Sequence, residues 1–202
     1  MSICYLVGAG DFSESIELYD DDLLIAVDGG YDSLRAAGYT PDVLIGDLDS
    51  VRSEIPKSVR VLKYPKEKDE TDMFLAYRVG VRCDYTDFVI LGGTGGRLDH
   101  TYANLSLLLY AKEHGHNVTM IDDKAMTICI KNESVRLAGK PGDYLSVFAV
   151  SGNAHGVSIK GAKYEIEDET LTPAFPLGVS NEFTDTEAHI SVKDGALIII
   201  AE

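Results

Sequence analysis

Short apolar runs that alternate with helical patterns constrain the fold of this 202-residue chain more than any other feature. Six such runs precede Asp123: ICYLVGAG, LLIAVDGG, DVLIGDLD, VRVLKYP, FVILGG and NVTMIDD. Helical periodicity lies between them in YDSLRAAG, TDMFLAYRVG and LDHTYANLSLLLYAKEHG. Strands that alternate with helices favour a parallel sheet covered on both faces. We therefore predict a three-layer α/β domain with a parallel sheet over residues 1–123.

The character of the sequence changes after Asp123. The remaining runs are short strand patterns separated by turn residues: TICI, SVRLA, YLSVFAV, GVSIKGAKYEIED and HISVKDGALIIIA. The KDG at Lys193–Gly195 predicts a hairpin between two of them. Many short strands with no intervening helix are typical of a sandwich or barrel. We therefore predict that residues 124–202 form an all-β, sandwich-like or barrel-like domain.

Charge and cysteine content exclude several classes of protein. A formal net charge of -15 disfavours binding to nucleic acid or to an anionic membrane surface. Cys4, Cys83 and Cys129 are far apart and lie in apolar runs, so they indicate free thiols rather than disulfides or a zinc site. No charged leader opens the sequence, and no apolar run approaches the roughly 18 residues that span a bilayer. We expect a cytoplasmic protein.

Two aspartates end the strand pattern in LIGDLDSV. In an extended backbone, residues two apart point to one side, so Asp47 and Asp49 would face the same spot. Like charges that close repel unless a cation lies between them. A solvated turn is the alternative interpretation, because Gly and Asp are ordinary turn residues.

Other acidic residues also follow predicted strands. Ligands of open parallel sheets bind beyond the carboxyl ends of the strands. Asp28 follows LLIAV, the segment KEKDETD at Lys66–Asp72 follows VRVLKY, and Asp99 begins the last helix. The acids of KEKDETD are also explained by a helix N-terminus, whose dipole favours negative charge. Several strand ends that deliver carboxylates to one edge are nevertheless hard to explain by turn chemistry alone.

A glycine-rich stretch, LGGTGGRLDH, joins a predicted strand to the last helix. Its glycines allow the backbone N–H groups to approach an anion closely. The stretch is not a P-loop, because GK[ST] is missing, and VGAGDFSES after the first strand lacks the last glycine of the dinucleotide fingerprint. A flexible loop is the alternative. Carboxylates for Mg²⁺, an amide-rich loop and Arg97 together indicate a nucleotide phosphoryl or pyrophosphoryl transfer site.

The motifs that carry this chemistry resemble a known family. They are DGG at 28–30, PDVLIGDLDSV at 41–51, KDETD at 68–72 and GGTGGRLDHTYANL at 92–105. In order and spacing they resemble thiamine pyrophosphokinase. GVSNEF at 178–183 is similar to the thiamine-binding strand segment of that family, so the resemblance covers nearly the whole chain.

The resemblance implies transfer of a pyrophosphoryl group from ATP to the hydroxyethyl oxygen of thiamine, giving thiamine diphosphate and AMP. We expect Asp47, Asp49 and Asp72 to bind Mg²⁺, and Asp99 to join them or to orient the attacking hydroxyl. Asp28 should lie near the transferred group. The ATP phosphates should be held by Gly92, Gly93, Thr94, Gly95, Gly96 and Arg97. By likeness to the family, Ser180 and Asn181 would contact thiamine.

The resemblance also implies a homodimer with thiamine bound between subunits. Some family members stack a tryptophan on thiamine, but this chain has no Trp, so Phe175, Phe183 or a tyrosine takes that role or no residue does. ALIIIA at the C-terminus suggests a face that a second copy covers, unless that strand is central in its own sheet.

Three alternative functions remain open at this point. A pterin-type pyrophosphokinase of the same catalytic fold is the nearest. A non-catalytic module that binds thiamine diphosphate or a nucleotide is the second, and a structural Ca²⁺ site in an inert domain is the third.

Overall fold

The computed structural model describes residues 2–10 and 16–202, which form two compact units. The first unit comprises the described residues up to Leu107 together with Gly115–Asp123. The second comprises Leu108–His114 and Lys124–Glu202. No helix in the described part of the chain is both long enough and apolar enough to cross a membrane.

The first unit contains the six strands and three helices that the sequence predicts. The strands are β1 (Cys4–Val7), β2 (Leu23–Val27), β3 (Val43–Gly46), β4 (Arg60–Lys63), β5 (Asp87–Leu91) and β6 (Asn117–Ile121). The helices are α1 (Gly30–Ala36), α2 (Asp72–Arg82) and α3 (Leu98–Glu113), the last of which is divided between the two units.

All neighbouring strands of the first unit pair in parallel, in the order β4-β3-β2-β1-β5-β6. Strands β1 to β4 follow one another toward one edge of this sheet, and β5 and β6 follow one another toward the opposite side. The order therefore reverses between β1 and β5. A crevice outside the carboxyl ends of the strands opens at such a reversal, which is where ligands of open α/β sheets bind.

Helices α1 and α2 cover opposite faces of this sheet. Side chains alternate between faces along a strand. Tyr31 and Leu34 of α1 pack in one cluster with Val7 of β1. On the other face, Gly80 of α2 lies so close to Cys4 of β1 that an added Cβ would be 2.8 Å from its Sγ. The parallel, helix-covered sheet predicted from the sequence is confirmed.

The second unit is an antiparallel all-β structure. Its strands are β7 (Met126–Lys131), β8 (Ser134–Ala138), β9 (Tyr144–Lys160), β10 (Ile166–Leu171), β11 (Gly178–Glu182), β12 (Glu187–Ser191) and β13 (Asp194–Ala201). The 17-residue β9 organises the unit, because its first half pairs with β13 and β11 and its second half with β12 and β10. A shared apolar core includes Leu145, Val157, Ile190 and Leu197.

Two strand predictions for this unit are wrong. YLSVFAV and the GVSIK that opens GVSIKGAKYEIED belong to one strand, β9, which continues through Ser151 and Gly156 although both take left-handed conformations (φ 63° and 66°). The KDG segment is not a hairpin, since β12 pairs with β8 and β9 whereas β13 pairs with β7 and β9. Gly195 (φ 118°) lies near the start of β13, where the chain leaves the neighbours of β12 and joins those of β13.

The apolar C-terminal strand is central in its sheet. β13 is hydrogen-bonded to β7 on one side and to β9 on the other, and Ala196 to Ile199 are buried. Its apolar excess is therefore explained within the subunit. The interpretation of ALIIIA as a face left for a second copy is wrong.

Candidate active site

A cavity of about 300 Å³ opens at the reversal of strand order in the first unit. It is lined by the loops after β1, β2, β3 and β5 and by the N-terminal parts of α2 and α3. Residues from these segments that line it are Gly8, Gly10, Asp28, Ser50, Thr71, Asp72, Gly92, Gly93, Thr94, Gly96, Arg97, His100 and Asn104. The sequence-predicted residues Asp28, Asp72 and most of the glycine loop therefore meet at one place.

The loops after β1 and β5 are in direct backbone contact. Gly8 N–H donates to the Leu91 carbonyl at 2.8 Å, and Gly10 N–H donates to the Gly92 carbonyl at 3.0 Å. A Cβ on Gly10 would lie 1.9 Å from the carbonyl oxygen of Thr94, so no larger residue fits there. Sequence reasoning examined VGAGDFSES only as a dinucleotide fingerprint and missed this role. Residues 11–15 of that segment lie outside the described residues.

Two side-chain hydrogen bonds fix the glycine loop after β5. The buried Asn104 of α3 donates its Nδ2–H to the Gly93 carbonyl at 2.7 Å. Thr94 donates its hydroxyl to Asp122 Oδ2 at 2.8 Å, so this hydroxyl already has a partner. Gly95 (φ 82°) provides the turn but does not line the cavity. The loop thus offers a fixed backbone to a ligand, and Asn104 is a supporting residue that sequence reasoning did not single out.

Asp28 is a strained, half-buried acid at the end of β2. Its φ of 45° is unusual for a residue other than glycine. Burial and, after it, the negative charge of Asp72 raise the pKa of Asp28 to about 6, although the Leu48 N–H that Asp28 accepts at 3.3 Å opposes the rise. Gly46 makes room for this carboxyl, because a Cβ there would lie 1.7 Å from Asp28 Oδ1.

Asp72 opens α2 beside Asp28. Thr71 caps the helix by accepting the Phe74 N–H at 3.2 Å, which places Asp72 in the first turn. Asp72 Oδ1 is buried and accepts no hydrogen bond from any described residue. Lys68 Nζ lies 3.0 Å from this oxygen as an ion pair without hydrogen-bond geometry. The first turn of α2 therefore brings a carboxylate to the cavity, and one of its oxygens lies beside the Lys68 cation.

Asp47 and Asp49 are not arranged as the extended-strand argument predicts. β3 ends at Gly46, and Leu48 then takes a left-handed conformation (φ 67°), so the backbone turns. Asp47 Oδ1 accepts the Asp49 N–H at 3.0 Å, and Asp49 forms an exposed ion pair with Lys66 at 2.9 Å. The assumption of extended backbone was wrong, because the carboxyl of Asp47 is folded back onto the turn.

Asp99 and Arg97 form an exposed ion pair at the start of α3. Arg97 Nε donates to Asp99 Oδ1 at 3.1 Å, and the guanidinium holds the pKa of Asp99 below its usual range. Arg97 lines the cavity, whereas Asp99 does not.

The described residues do not bring Asp47, Asp49 and Asp72 together as one ligand set. Across residues 2–10 and 16–202, no three His, Cys, Asp or Glu side chains are grouped so that they could hold a metal ion. Asp28 interacts most strongly with Asp72 and more weakly with Asp47, whose negative charges both raise its pKa.

The second unit has a separate cavity of about 310 Å³. Its walls are mostly apolar: Ile159, Tyr164, Ile166, Leu177, Gly178, Val179 and Asn181. Of the two residues that the resemblance assigns to thiamine, Asn181 lines this cavity and is only 3% exposed. Ser180 is exposed on β11, with its N–H donated to Ser146 Oγ at 3.1 Å.

Comparison with known protein families gives two adjacent matches. The family model described as thiamin pyrophosphokinase, catalytic domain, matches residues 17–120. The model described as thiamin pyrophosphokinase, vitamin B1 binding domain, matches residues 126–197. Together they cover β2 to β5 and most of β6 in the first unit, and most of the second unit.

Individual relatives agree with these matches. The chain is 30% identical over 193 residues to thiamine pyrophosphokinase of Bacillus subtilis, covering 88% of this chain and 86% of the relative. It is 25% identical over 171 residues to thiamin pyrophosphokinase 1 of Caenorhabditis elegans, covering 79% and 70%. The crystal structure of the Bacillus subtilis enzyme superposes with a TM-score of 0.88 at 25% identity, covering 100% of this chain and 99% of that one.

Proposed function

Because the chain belongs to the thiamine pyrophosphokinase family and is an enzyme that pyrophosphorylates thiamine, we propose a role for each of its two cavities. The cavity of the first unit binds ATP, and the cavity of the second unit binds thiamine. The reaction moves the terminal pyrophosphoryl group of ATP to the thiamine hydroxyl and releases AMP. The vitamin B1 binding-domain match favours thiamine over a pterin alcohol.

The observation that best supports ATP in the first cavity is the meeting of two glycine loops at the strand-order reversal. Their closely packed backbones, at Gly8–Gly10 and Gly92–Gly96, carry only the side chains of Ala9 and Thr94, so most of the main chain there is open to a polyphosphate. Arg97 adds positive charge at the rim. Such an array binds phosphate oxygens in a fixed geometry, which stabilises the charge that develops during transfer.

The same cavity fits Mg²⁺ delivered with ATP. This ion keeps several waters and binds through one or two carboxylates plus substrate phosphates. Asp28 and Asp72 supply two interacting carboxyls, and the buried Asp72 Oδ1 lacks a hydrogen bond from the described residues. We propose that Asp72 holds the ion, and that Asp47 and Asp49 become further ligands when the Asp47–Asp49 turn and the Asp49–Lys66 ion pair open. When bound, the ion would neutralise charge on the phosphates.

The protein's own contribution to the transfer is positioning. We propose that Asp28, held over Gly46, lies next to the transferred group, and that Arg97 and the loop backbone fix the phosphate chain in line with the attacking oxygen. Asp99 keeps Arg97 oriented through their ion pair and reaches the attacking hydroxyl only if that pair opens.

The second cavity suits an aromatic cation. Tyr164 presents a ring that is 62% exposed beside apolar walls, and aromatic faces attract cations such as the thiazolium of thiamine. Lys163 Nζ lies 5.7 Å from the centre of this ring. Phe183 is unsuited to stacking because it is 2% exposed in the core, and Phe175 does not line the cavity. We propose Tyr164 as the ring that stacks on thiamine.

A homodimer is the assembly that we propose for this chain. The cavity of the second unit has exposed apolar residues at and near it, among them Leu177 and Val179. A small ligand needs walls on several sides, and a cleft between subunits provides them. A cytoplasmic location is also proposed, because Cys4, Cys83 and Cys129 are all free thiols.

Binding measurements on two variants test the division of roles. Asp72→Asn should weaken binding of a magnesium complex of a non-hydrolysable ATP analogue, as measured by calorimetry, and should leave thiamine binding unchanged. Tyr164→Ala should weaken thiamine binding and leave binding of the nucleotide complex unchanged. If Asp72→Asn weakened thiamine binding as much as nucleotide binding, or if Tyr164→Ala left thiamine binding intact, the assignment of the two cavities would be wrong.

A further inference from the structure

The side chain of Asn181 is committed to the backbones of Tyr164 and Glu182. Its Oδ1 accepts the Tyr164 N–H at 2.9 Å and also the Glu182 N–H at 3.0 Å. Its Nδ2–H donates to the Tyr164 carbonyl at 2.9 Å. The amide therefore pairs with both backbone groups of Tyr164, which lies 17 positions earlier in the chain.

These bonds fasten the connection between β9 and β10 to β11. Lys163 N–H donates to the Glu182 carbonyl at 2.9 Å, and Lys163 Nζ forms an ion pair with Glu182 Oε1 at 3.0 Å. Next to this, Ala162 forms a bridge with Phe183. The backbone of Tyr164 is thus held on both sides, while its ring remains 62% exposed at the cavity. The arrangement immobilises the main chain that carries this ring, and Lys163 Nζ lies over the ring at 5.7 Å from its centre.

Little of the Asn181 amide is left for a ligand. Both lone pairs of Oδ1 receive an N–H, and one of the two Nδ2 hydrogens is used. A buried amide that bonds two backbone groups in this way is costly to open, because each freed backbone group would lose its partner. Contact with a substrate would have to come from the single remaining hydrogen.

We propose that Asn181 is a positioning residue that acts on thiamine through Tyr164. It holds the backbone of Tyr164 so that the ring forms one preset wall of the cavity, and the ring makes the contact. Ring positions fixed before binding improve affinity because less freedom is lost on binding. This inference rests on the proposed function and replaces the direct contact that the family resemblance implies for Asn181.

A double-mutant cycle measured by calorimetry with thiamine distinguishes the two roles. The full-length chain is compared with Asn181→Ala, Tyr164→Ala and the double variant. We expect each single variant to weaken binding about tenfold, by loss of positioning and by loss of the ring respectively. The double variant should bind no worse than Tyr164→Ala alone, because Asn181 has nothing left to position.

Three outcomes separate the inference from the function on which it rests. An Asn181→Ala effect that persists undiminished in the Tyr164→Ala background would mean direct contact and overturn the inference. A Tyr164→Ala variant that binds thiamine normally would instead refute the thiamine cavity itself. If Asn181→Ala does not fold, Asn181→Asp serves in the same cycle, since it keeps an accepting oxygen for the Tyr164 and Glu182 N–H groups and replaces the donor to the Tyr164 carbonyl by a charged acceptor.

The absence of tryptophan from the chain allows an independent measurement. Tyr164→Trp introduces a single indole at the proposed wall. Adding Asn181→Asp to this variant should lower the fluorescence anisotropy of the indole before thiamine is added, and should raise the KM for thiamine more than the KM for ATP. Ser180→Ala is the matched control on the same strand and should leave the anisotropy unchanged. Equal anisotropy with and without Asn181→Asp would contradict the positioning role.

Discussion

Replacing Asp28 by asparagine should stabilise the metal-free protein at neutral pH while it abolishes activity. The pKa of Asp28 is about 6 in the folded chain and about 3.9 in an unfolded one. The folded state therefore binds the Asp28 proton more tightly than the unfolded state does. The contribution of Asp28 to the free energy of unfolding is thus greatest below pH 4 and falls as the pH rises to about 6. Two pKa units correspond to about 3 kcal/mol, which partial solvation of this half-buried group reduces to about 1–2 kcal/mol.

Urea unfolding with a chelator present, at pH 4 and at pH 8, measures this effect. Asp28→Asn keeps the shape of the side chain and its acceptor for the Leu48 N–H, so the difference reports charge. We expect the variant to unfold at higher urea than the parent at pH 8 and at the same urea at pH 4. Asp49→Asn is the control: its carboxylate is exposed and paired with Lys66, which lowers its pKa, so no stabilisation at pH 8 should result. An equal gain at both pH values would refute the reasoning.

Three further variants or measurements follow from the structure. Gly10→Ala should destabilise the protein by about 1–3 kcal/mol in thermal unfolding, because its Cβ would overlap Thr94, whereas Gly96→Ala meets nothing within 4 Å and should be neutral in stability. Asp47→Asn and Asp49→Asn should each reduce turnover about a hundredfold or more with the far-ultraviolet circular dichroism unchanged, through lost electrostatic stabilisation; near-normal turnover in both would contradict a role at the metal. Sedimentation at micromolar concentration should show a dimer, and a fully active 22.0 kDa monomer would contradict the proposed assembly.

The first unit was predictable because its signals are local. Apolar runs and helical periodicity identify each element, and the rule for carboxyl ends of parallel strands brings Asp28, Asp72 and Gly92 to one edge. Strand order is not local, so the sequence did not reveal that β1 and β5 are neighbours at the reversal. That adjacency makes Gly8 and Gly10 part of the cavity.

The errors concern backbone conformation that no periodicity encodes. Asp47 and Asp49 were treated as extended, but a left-handed Leu48 lies between them, a conformation rarely adopted by leucine and therefore not expected from its identity. The KDG segment satisfies the usual hairpin signals, yet pairing partners across the unit direct its two flanking strands elsewhere. In both cases tertiary contacts override the local preference.

Asn181 illustrates how motif likeness and structure give different information. The resemblance of GVSNEF identifies the segment that matters but not the task of each residue in it. Burial and three hydrogen bonds from one amide assign Asn181 to the backbone, and exposure assigns the ring of Tyr164 to the cavity. Neither property can be read from the letters SNEF.

The most direct test of the account is to incubate the protein with ATP, Mg²⁺ and thiamine and to identify the nucleotide product. Transfer of an intact pyrophosphoryl group predicts AMP in equal amount to thiamine diphosphate, and no AMP when thiamine is omitted. Chromatography with ³¹P magnetic resonance resolves both products in one sample. Formation of ADP with thiamine monophosphate, or of AMP at the same rate without thiamine, would contradict the account.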